Sequence, residues 1–442
     1  MLQWKKEENR NSALLIEGAR RIGKTTIVKE FAKREYSNHI YIDFTYATEE
    51  TKGLFLHMNP NSPIAMDQFF ADLMLIFGVE LKRGDLIIFD EVQFFPKARQ
   101  AIKALVADGR YDYIETGSLI SIREKTRDIQ IPSEERRIEM HPMDFEEFCW
   151  AIEDAEKCNL LRKIYISHGS ISDSTHRKMM DDFRLYLSLG GMPKVVSLYL
   201  ETNSFERCEN EKQDILKLYE DDLRKHDDVS STHSLSIYSS MIPSLRTWSG
   251  RVKTKARSLS LQNKYLRSLK DLEDSRIVNA IYHCNDLSLG SLIKEEMTFK
   301  LYPLDAGLML SQLLGENGES IKTTYEKIRF GRLDGANFGL LYECLVAQSL
   351  VNRGKKVFYH TFEYTNNNHK KRSEIDFLCL SKGKVLTMEV KSTTRFTTSS
   401  LDILKTKYPH LKLEKVVVSP KPLKFDSDIT YVPIYMLDIL DI

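Results

Sequence analysis

Short apolar runs alternate with amphipathic stretches over about the first 150 residues of the chain. Near-continuous apolar runs are typical of strands in a parallel sheet that is covered on both faces. The stretches between them, such as Thr25–Glu35 and Lys97–Asp108, have the length of crossover helices. This pattern predicts an α/β unit of βαβ connections, with strands at 13–18, 40–44, 86–91 and 113–118.

The pattern changes after residue 145. From Phe145 to about Tyr238 the sequence predicts mostly helices, interrupted at 189–194 by two glycines and a proline. Residues 239–300 predict a small helical domain that ends in a turn and a strand, which fits a winged-helix arrangement. The glycines between 315 and 335 predict a loop or linker. A second α/β unit follows, with a helix at 339–352, a helix after Ser400, and strands at 356–360, 374–380, 385–391 and 415–419.

Length and composition fit a soluble globular protein of two to four domains. The chain has 442 residues, of which 42% are hydrophobic and 29% are charged. Its 64 basic and 63 acidic side chains give a net charge of +1. This balance argues against a chain coated with positive charge for nucleic acid, although it permits a local basic patch.

The cysteines and the apolar runs bear on the cellular compartment of the protein. Six scattered cysteines form no CxxC pair and have no accompanying histidine cluster, so core thiols are a better interpretation than a zinc site. The first residues lack the apolar segment of a secretory signal, and the apolar runs are too short to span a bilayer. These features predict a reducing cytoplasm and no membrane partner.

A phosphate-binding motif lies between the first predicted strand and the helix that follows it. Residues 18–25 match G-x-x-x-x-G-K-[ST], in which backbone amides and a helix N-terminus surround a polyphosphate. Lys24 is predicted to reach the β- and γ-phosphates, and the Thr25 hydroxyl to bind Mg²⁺. The alternative is a glycine turn with a surface lysine. The predicted nucleotide-binding residues are Gly18, Arg20, Arg21, Ile22, Gly23, Lys24, Thr25, Thr26, Thr116 and Ser118.

The predicted strand 86–91 ends in two carboxylates, the form of a Walker B motif. Asp90 is predicted to bind Mg²⁺, and Glu91 to polarise the attacking water as a general base. The alternative is a pair of solvated loop carboxylates. With the phosphate-binding motif upstream, the combination predicts a P-loop ATPase that uses ATP and Mg²⁺.

The strand 113–118 ends in the hydroxyl residues Thr116 and Ser118, which we expect to sense the attacking water or the γ-phosphate. The alternative is an ordinary turn at a strand end. Arginines follow at 123, 127, 136 and 137, and we favour Arg136 or Arg137 as the one that stabilises transition-state charge on a neighbouring subunit's nucleotide. Most surface arginines are instead solvated or ion-paired.

Acidic and basic residues near the C-terminus have the spacing of a PD-(D/E)xK nuclease. Asp376 lies on one predicted strand, and Glu389 and Lys391 alternate on the next, which puts them on one face. Asp376 and Glu389 are predicted to ligate Mg²⁺, Lys391 to activate water, and Glu343 on the preceding helix to add an acidic ligand. Ile375 stands where the motif has proline. The alternative is an alternating Glu and Lys pair on a solvent-facing strand.

Two basic runs, at 369–372 and 251–257, would contact phosphates. Each run alone is better explained as a solvated face or loop. Together, beside a possible winged helix and a nuclease-like sheet, they make DNA the predicted partner.

Several segments together resemble a family of archaeal and bacterial AAA-type ATPases related to the STAND and AAA+ proteins. They are GARRIGKTT (18–26), LIIFDEVQ (86–93), ETGSLIS (115–121), HPMDFEEF (141–148) and LGGMPK (189–194). The resemblance implies an AAA+ core followed by a lid, a winged helix and a restriction-endonuclease-like domain. It carries over Lys24, Thr25, Asp90, Glu91 and either Thr116 or Ser118. Between Ser118 and His141 the family often has a Gly-Arg pair, whereas residues 135–137 of this chain are Glu-Arg-Arg. The choice of the arginine that acts on a neighbouring nucleotide therefore stays open.

The predicted domains are an ATPase core at 1–145, a helical lid at 146–238, a winged-helix-like domain at 239–314 and an endonuclease-like domain at 315–442. The first functional hypothesis is an ATPase that acts on DNA through the nuclease-like domain. The second is a nucleotide-dependent, oligomerising switch whose C-terminal domain only binds a nucleic acid or protein partner. The third is a loader or chaperone-like ATPase that acts on protein.

Overall fold

The structure is a computed structural model in which the chain divides into two compact units. The first unit comprises residues 1–141 and 274–276, and the second comprises 142–273 and 277–442. The structure describes residues 1–9, 11–118, 133–152, 155–226, 233–247, 259–285, 287, 292–317, 321–332, 335–366, 369–426 and 428–440.

The first unit is built on a five-stranded parallel sheet. Its strands are Ala13–Glu17 (β1), His39–Asp43 (β2), Leu86–Asp90 (β3), Asp112–Gly117 (β4) and Glu135–Glu139 (β5). They lie in the order β2-β3-β4-β1-β5, and every neighbouring pair is parallel. The predicted α/β class and the first four strands are confirmed, whereas β5 was not predicted.

Helices cover both faces of this sheet, as the apolar strands require. They are Leu2–Glu7 (α1), Lys24–Glu35 (α2), Glu49–His57 (α3), Pro63–Phe77 (α4) and Pro96–Asp108 (α5), with a 3₁₀ turn at Val92–Phe94. Successive residues of β1 face opposite layers. Ala13 joins an aromatic core that includes Phe89, while Leu14 packs with Val28 and Phe31 of α2.

The second unit begins with helices. They are Phe145–Ala151 (α6), Ala155–Ile166 (α7), Asp173–Leu189 (α8), Pro193–Thr202 (α9), Phe205–His226 (α10), His233–Ser239 (α11), Met241–Leu245 (α12), Leu259–Asp274 (α13), Ala306–Asn317 (α14), Ile321–Arg329 (α15), Gly335–Asn352 (α16) and Ser399–Lys407 (α17). A capping box starts α6, because the Asp144 carboxylate accepts from the Glu147 amide and the Glu147 carboxylate accepts from the Asp144 amide.

An eight-stranded mixed sheet completes the second unit. Its strands are Val278–Cys284 (β6), Lys294–Pro303 (β7), Phe358–Asn366 (β8), His369–Ser381 (β9), Lys384–Val390 (β10), Leu413–Ser419 (β11), Lys424–Phe425 (β12) and Ile429–Pro433 (β13), and a 3₁₀ segment follows at Ile434–Ile439. The strand order is β12-β13-β11-β10-β9-β8-β6-β7. Strands β10, β11 and β13 are parallel neighbours, while β8, β9 and β10 form an antiparallel meander.

Two sequence-based expectations in this unit are corrected. Strands β6 and β7 pair with each other, and β6 pairs with β8, so residues 239–314 do not form a separate winged-helix domain among the described residues. The predicted linker at 315–335 is also wrong in part, because α15 occupies Ile321–Arg329 and buries Tyr325 and Ile328. The finer domain boundaries stay predictions. No helix in the described part of the chain is long and apolar enough to cross a membrane.

Candidate functional site

The loop between β1 and α2 has the backbone that its glycines allow. Gly18 has φ 154°, and a Cβ there would lie 2.4 Å from both the Met140 carbonyl oxygen and the Ile22 Cδ1. Gly23 precedes the first residue of α2 in the left-handed conformation, with φ 92°. Both glycines are therefore required by local geometry, and they leave Lys24 and Thr25 as the first residues of the helix.

Lys24 lies beneath this loop, with only 5% of its surface exposed. Its Nζ donates to the Gly18 carbonyl oxygen at 3.1 Å and to the Ala19 carbonyl oxygen at 2.8 Å. Burial lowers the pKa of the Lys24 amine, an effect that the nearby Glu91 and Asp90 carboxylates oppose. A cation held by loop carbonyls can exchange them for anionic oxygens.

Three hydroxyl groups converge on the Asp90 carboxylate at the end of β3. The Thr25 hydroxyl donates to its Oδ2 at 2.9 Å, and the hydroxyls of Tyr41 and Thr116 also donate to it. Tyr41 and Thr116 reach Asp90 because β2 and β4 flank β3 in the sheet. Burial and the Asp90 hydrogen bond raise the pKa of the Tyr41 phenol. The structure therefore brings together the predicted Thr25, Asp90 and Thr116.

Glu91 follows Asp90 in a left-handed backbone conformation, with φ 52°, which is uncommon for a residue with a side chain. Its backbone amide donates to the Thr116 Oγ1 at 3.2 Å. Its carboxylate accepts a hydrogen bond from the side-chain amide of Gln93. Gln93 is 1% exposed, and its own Oε1 has no hydrogen-bond partner in the described part of the protein. The second predicted carboxylate thus lies beside the first, held by a side chain two residues further on.

Sequence reasoning missed Tyr41 and Gln93. Tyr41 lies within a predicted strand, and only its pairing with β3 reveals that it reaches Asp90. Gln93 was visible in the motif LIIFDEVQ, where a polar residue follows the carboxylates after one apolar position. Its burial was the missing information.

The other predicted nucleotide residues line the loop and the strand end. Arg21 and Thr26 are exposed, Arg20 is half-buried, and Ile22 and Ser118 are buried. Their contact with a nucleotide stays a prediction.

The two favoured arginines lie on the edge strand β5. Arg136 is 62% exposed and 3.7 Å from the Glu8 carboxylate, and Arg137 is 47% exposed and 3.5 Å from the Glu135 carboxylate. Arg123 and Arg127 lie outside the described residues. An arginine finger therefore stays a prediction.

In the second unit, the four predicted C-terminal residues form one charged cluster. The Lys391 Nζ lies 2.5 Å from the Glu389 Oε2, and the Asp376 Oδ2 accepts from the Val390 amide at 2.8 Å. Asp376 acts electrostatically on both Glu389 and Glu343. Glu343 on α16, Asp376 on β9, and Glu389 and Lys391 at the end of β10 therefore lie together, while their role in a nuclease-like site stays a prediction.

Neighbouring residues that the sequence did not suggest complete this cluster. Lys300 on β7 lies 2.6 Å from Glu374 and 3.9 Å from Glu343. The Tyr302 hydroxyl donates to the Glu343 Oε2 at 2.6 Å, and the Ser400 hydroxyl donates to Glu389 at 2.6 Å. Strand β7 precedes β9 by more than sixty residues, so no local pattern could have linked Lys300 to the cluster.

The carboxylates of this cluster are electrostatically strained. Burial, and after it the charge of Asp376, raise the pKa of Glu389 to about 7. Burial likewise raises the pKa of Glu343. Oxygen ligands of this kind suit Mg²⁺. However, the described residues contain no group of three or more His, Cys, Asp or Glu that could hold a metal ion, so ligation by Glu343, Asp376 and Glu389 stays a prediction.

Glu389 is expected to make the stability of this unit depend on pH. Its folded-state pKa of about 7 lies above the ordinary 4.5, so its contribution is complete below pH 4.5 and is lost as pH rises through 7. Glu389→Gln should therefore be more stabilising at pH 8 than at pH 5, by up to about 3 kcal/mol. Urea unfolding at both pH values measures this difference. Equal effects at the two pH values would contradict it, and Glu363→Gln, at an exposed position of β8, is the control.

The structure describes one of the two predicted basic runs. Residues 369–372 are exposed at the start of β9, and Arg372 donates to the Thr361 hydroxyl at 2.9 Å. The run at 251–257 lies outside the described residues. An exposed basic strand end is available to phosphates, but its partner stays a prediction.

Comparison with known proteins identifies the first part of the chain. Residues 10–149 match a family described as an AAA domain. Residues 180–320 and 338–437 match two domains of unknown function, DUF8612 and DUF4143. No curated protein matches this sequence. With the loop, the carboxylates and the parallel sheet described above, the AAA match shows a P-loop ATPase domain, as predicted, whereas an endonuclease-like C-terminal domain is not shown.

Solved structures give only weak overlap. Cdc6p from Pyrobaculum aerophilum is 11% identical, with 73% of this chain and 91% of that chain covered and a TM-score of 0.24. Protein VC1899 from Vibrio cholerae is 11% identical, with 96% and 95% covered and a TM-score of 0.20. The Hef helicase domain of Pyrococcus furiosus is 11% identical, with 95% and 89% covered and a TM-score of 0.17. Overlap this low supports no conclusion about this chain.

Proposed function

We propose that this chain, which carries an AAA-type P-loop ATPase domain, binds and hydrolyses ATP with Mg²⁺. One observation carries the proposal. The hydroxyls of Thr25 and Thr116 meet the carboxylate of Asp90 at the end of β3, in the same unit as the phosphate-binding loop and its buried Lys24. A calorimetric titration of the full chain with ATP and Mg²⁺ tests it, because a working site takes up nucleotide saturably.

The donor set fits a magnesium–nucleotide complex. Thr25 and Asp90 offer a hydroxyl and a carboxylate, the hard oxygen ligands that Mg²⁺ prefers. When bound, Mg²⁺ neutralises charge on phosphate oxygens. Lys24 would exchange the Gly18 and Ala19 carbonyls for the β- and γ-phosphates, and the amide groups at the start of α2 would face them.

Hydrolysis also needs a group that takes a proton from the attacking water. Glu91 has this role in the proposal because it follows Asp90 at the strand end, with its carboxylate held by Gln93. Thr116 is a positioning residue, since it accepts from the Glu91 amide and donates to Asp90.

Thr116→Val is expected to lower the kcat of ATP hydrolysis about tenfold and to leave nucleotide affinity nearly unchanged. Valine keeps the shape but removes one acceptor from the Glu91 amide and one donor from Asp90, each worth about 1 kcal/mol. Steady-state phosphate release and a nucleotide titration measure kcat and affinity. Thr116→Ser, which retains the hydroxyl, should restore kcat. A valine variant with unaltered kcat would remove Thr116 from the mechanism.

We further propose that the second unit acts on DNA. The Asp376, Glu389 and Lys391 cluster carries this proposal, and the exposed basic residues 369–372 would contact phosphates. Asp376 and Glu389 would hold Mg²⁺, with Glu343 as a further acidic ligand. Lys391, now paired with Glu389, would hold the attacking water and offset phosphoryl charge.

Glu389→Gln and Lys391→Met are expected to lower DNA cleavage by about 100-fold or more, because each removes a charged group from the reacting phosphate. ATP hydrolysis should persist in both variants, since the cluster and the phosphate-binding loop belong to different units. A gel assay with Mg²⁺ and linear, circular and single-stranded DNA, with and without ATP, measures cleavage. Lys384→Met, an exposed lysine on the same strand, is the matched control.

A switch that binds DNA or protein without cutting is the second candidate. It is favoured by the pairing of Lys391 with Glu389 and by the lack, among the residues described, of a cluster able to hold a metal. In that case wild-type protein cleaves no DNA, and ATP changes its oligomeric state. A homo-oligomer in which Arg136 or Arg137 faces a neighbouring nucleotide belongs to this proposal. A reducing cytoplasm also belongs to it, because the six cysteines are buried and form no disulfide.

A further inference from the structure

A cleft at one end of the eight-stranded sheet is lined by aromatic rings and lysines. It has a volume of about 410 Å³, and its walls include Phe396, Tyr431, Lys421, Lys424, Thr398 and Leu423. The volume falls in the range of ligand pockets, roughly 300–1,000 Å³. The Phe396 and Tyr431 rings lie 6.4 Å apart between centroids, and both side chains are half-buried.

The cleft and the Glu389 cluster are linked by the sheet register. Glu389 pairs with Val417 on β11, and Val417 pairs with Tyr431 on β13. Paired residues of neighbouring strands project to the same face, so Tyr431 stands on the face of Glu389 two strands away, about 10 Å at the usual strand spacing.

The chain connects the two places as well. The loop after β10 leaves the cluster at Lys391, carries Phe396 into the cleft, and returns at Ser400, whose hydroxyl donates to Glu389 at 2.6 Å. The cleft therefore adjoins the cluster through both the sheet and this loop.

The lining has the chemistry that unpaired nucleotides need. The Lys421 Nζ lies 4.1 Å from the Phe396 ring centroid, and the Lys424 Nζ lies 5.9 Å from the Tyr431 ring centroid. Lys424 also pairs with Asp426 at 3.1 Å. Aromatic faces stack on bases of any sequence, and lysines attract the backbone phosphates beside them. A paired base inside a duplex does not present its face to such a ring.

We propose that this cleft stacks an unpaired base of a DNA strand against the Phe396 and Tyr431 rings and binds its adjoining phosphate through Lys421 and Lys424. The inference rests on the proposed action of the second unit on DNA, and it specifies the substrate as single-stranded or locally opened. It assigns the two rings to substrate positioning, next to the cluster that would act on the phosphate.

The test uses the full-length protein with EDTA and three labelled ligands: an oligothymidylate of about 12 nucleotides, an abasic strand of equal length, and a duplex. Fluorescence anisotropy measures each affinity. Phe396→Ala and Tyr431→Ala should each weaken oligothymidylate binding about 5- to 100-fold and leave abasic-strand binding unchanged. Tyr431→Phe, which keeps the ring, should bind like wild type.

Two further variants separate stacking from damage to the fold. Phe396→Leu keeps apolar bulk without a ring and should bind as weakly as Phe396→Ala. Phe330→Ala removes an exposed ring beside Arg332, outside the cleft, and should have no effect.

Unaltered oligothymidylate affinity in both alanine variants would overturn the inference while leaving DNA binding intact. Equal wild-type affinity for the base-bearing and abasic strands would overturn it in the same way. No binding of any of the three ligands would overturn both the inference and the proposed action on DNA.

Discussion

Lys24→Ala is expected to lower the kcat of ATP hydrolysis by about 100- to 1,000-fold, because a fixed positive charge that stabilises transferring phosphoryl oxygens has an effect of that size. ATP affinity should fall by about ten- to a hundredfold, since a hydrogen bond to a charged group contributes about 1.5–3 kcal/mol. The structure provides the reason. Lys24 is buried beneath the loop, with the carbonyl oxygens of Gly18 and Ala19 as its hydrogen-bond acceptors.

Phosphate release and calorimetric titration of the variant measure both effects. Lys33→Ala is the matched control, because Lys33 lies on the same helix, its side chain is 63% exposed and it pairs with Glu30 at the surface. Its turnover should equal that of the wild type. If Lys24→Ala bound and hydrolysed ATP like the wild type, the assignment of the phosphate site would be refuted.

The sheet of the ATPase domain was largely predictable because its strands are local apolar runs. Strand β5 was the exception. Four of its five residues are charged, and Ile138 is its one apolar residue, packed against the core formed by β1 and α2. The Glu135 carboxylate accepts two hydrogen bonds from Arg99 of α5, at 2.8 and 2.9 Å, and both side chains are almost fully buried. A buried ion pair between residues 36 positions apart leaves no periodic pattern in the sequence.

The C-terminal site shows the same division between local and distant information. The alternation of Glu389 and Lys391 on one strand was sufficient to predict that they share a face, and they are in contact. The position of Lys300 beside this cluster was not predictable, because its strand β7 joins the sheet only through the pairing of β6 with β8. The same pairing joins β6 and β7 to the C-terminal sheet, although the sequence predicted a winged-helix-like domain at 239–314.

The motif LGGMPK, part of the sequence resemblance, has a packing role in the structure. Gly191 passes so close to another backbone segment that a Cβ there would lie 2.0 Å from the Met143 carbonyl oxygen and 2.9 Å from the Met143 carbonyl carbon and amide nitrogen. The Met143 amide donates to the Gly191 carbonyl at 2.7 Å, and the Gly191 amide donates to the buried Asp305 carboxylate at 2.6 Å. The glycine therefore joins three segments of the second unit through its backbone.

Gly191→Ala is expected to destabilise this unit by about 3–5 kcal/mol, because the methyl group collides with backbone and its accommodation breaks buried hydrogen bonds to Met143 and Asp305. Thermal unfolding should show a midpoint lowered by roughly 10 °C. Gly169→Ala is the matched control in the same unit, since a Cβ there would make only ordinary contacts of 3.4 Å or more. If Gly191→Ala changed stability as little as the control does, the close approach at Met143 would not hold the fold together. A loss of the expected size would show that the backbone approach of Gly191 to Met143 stabilises the interior of this unit.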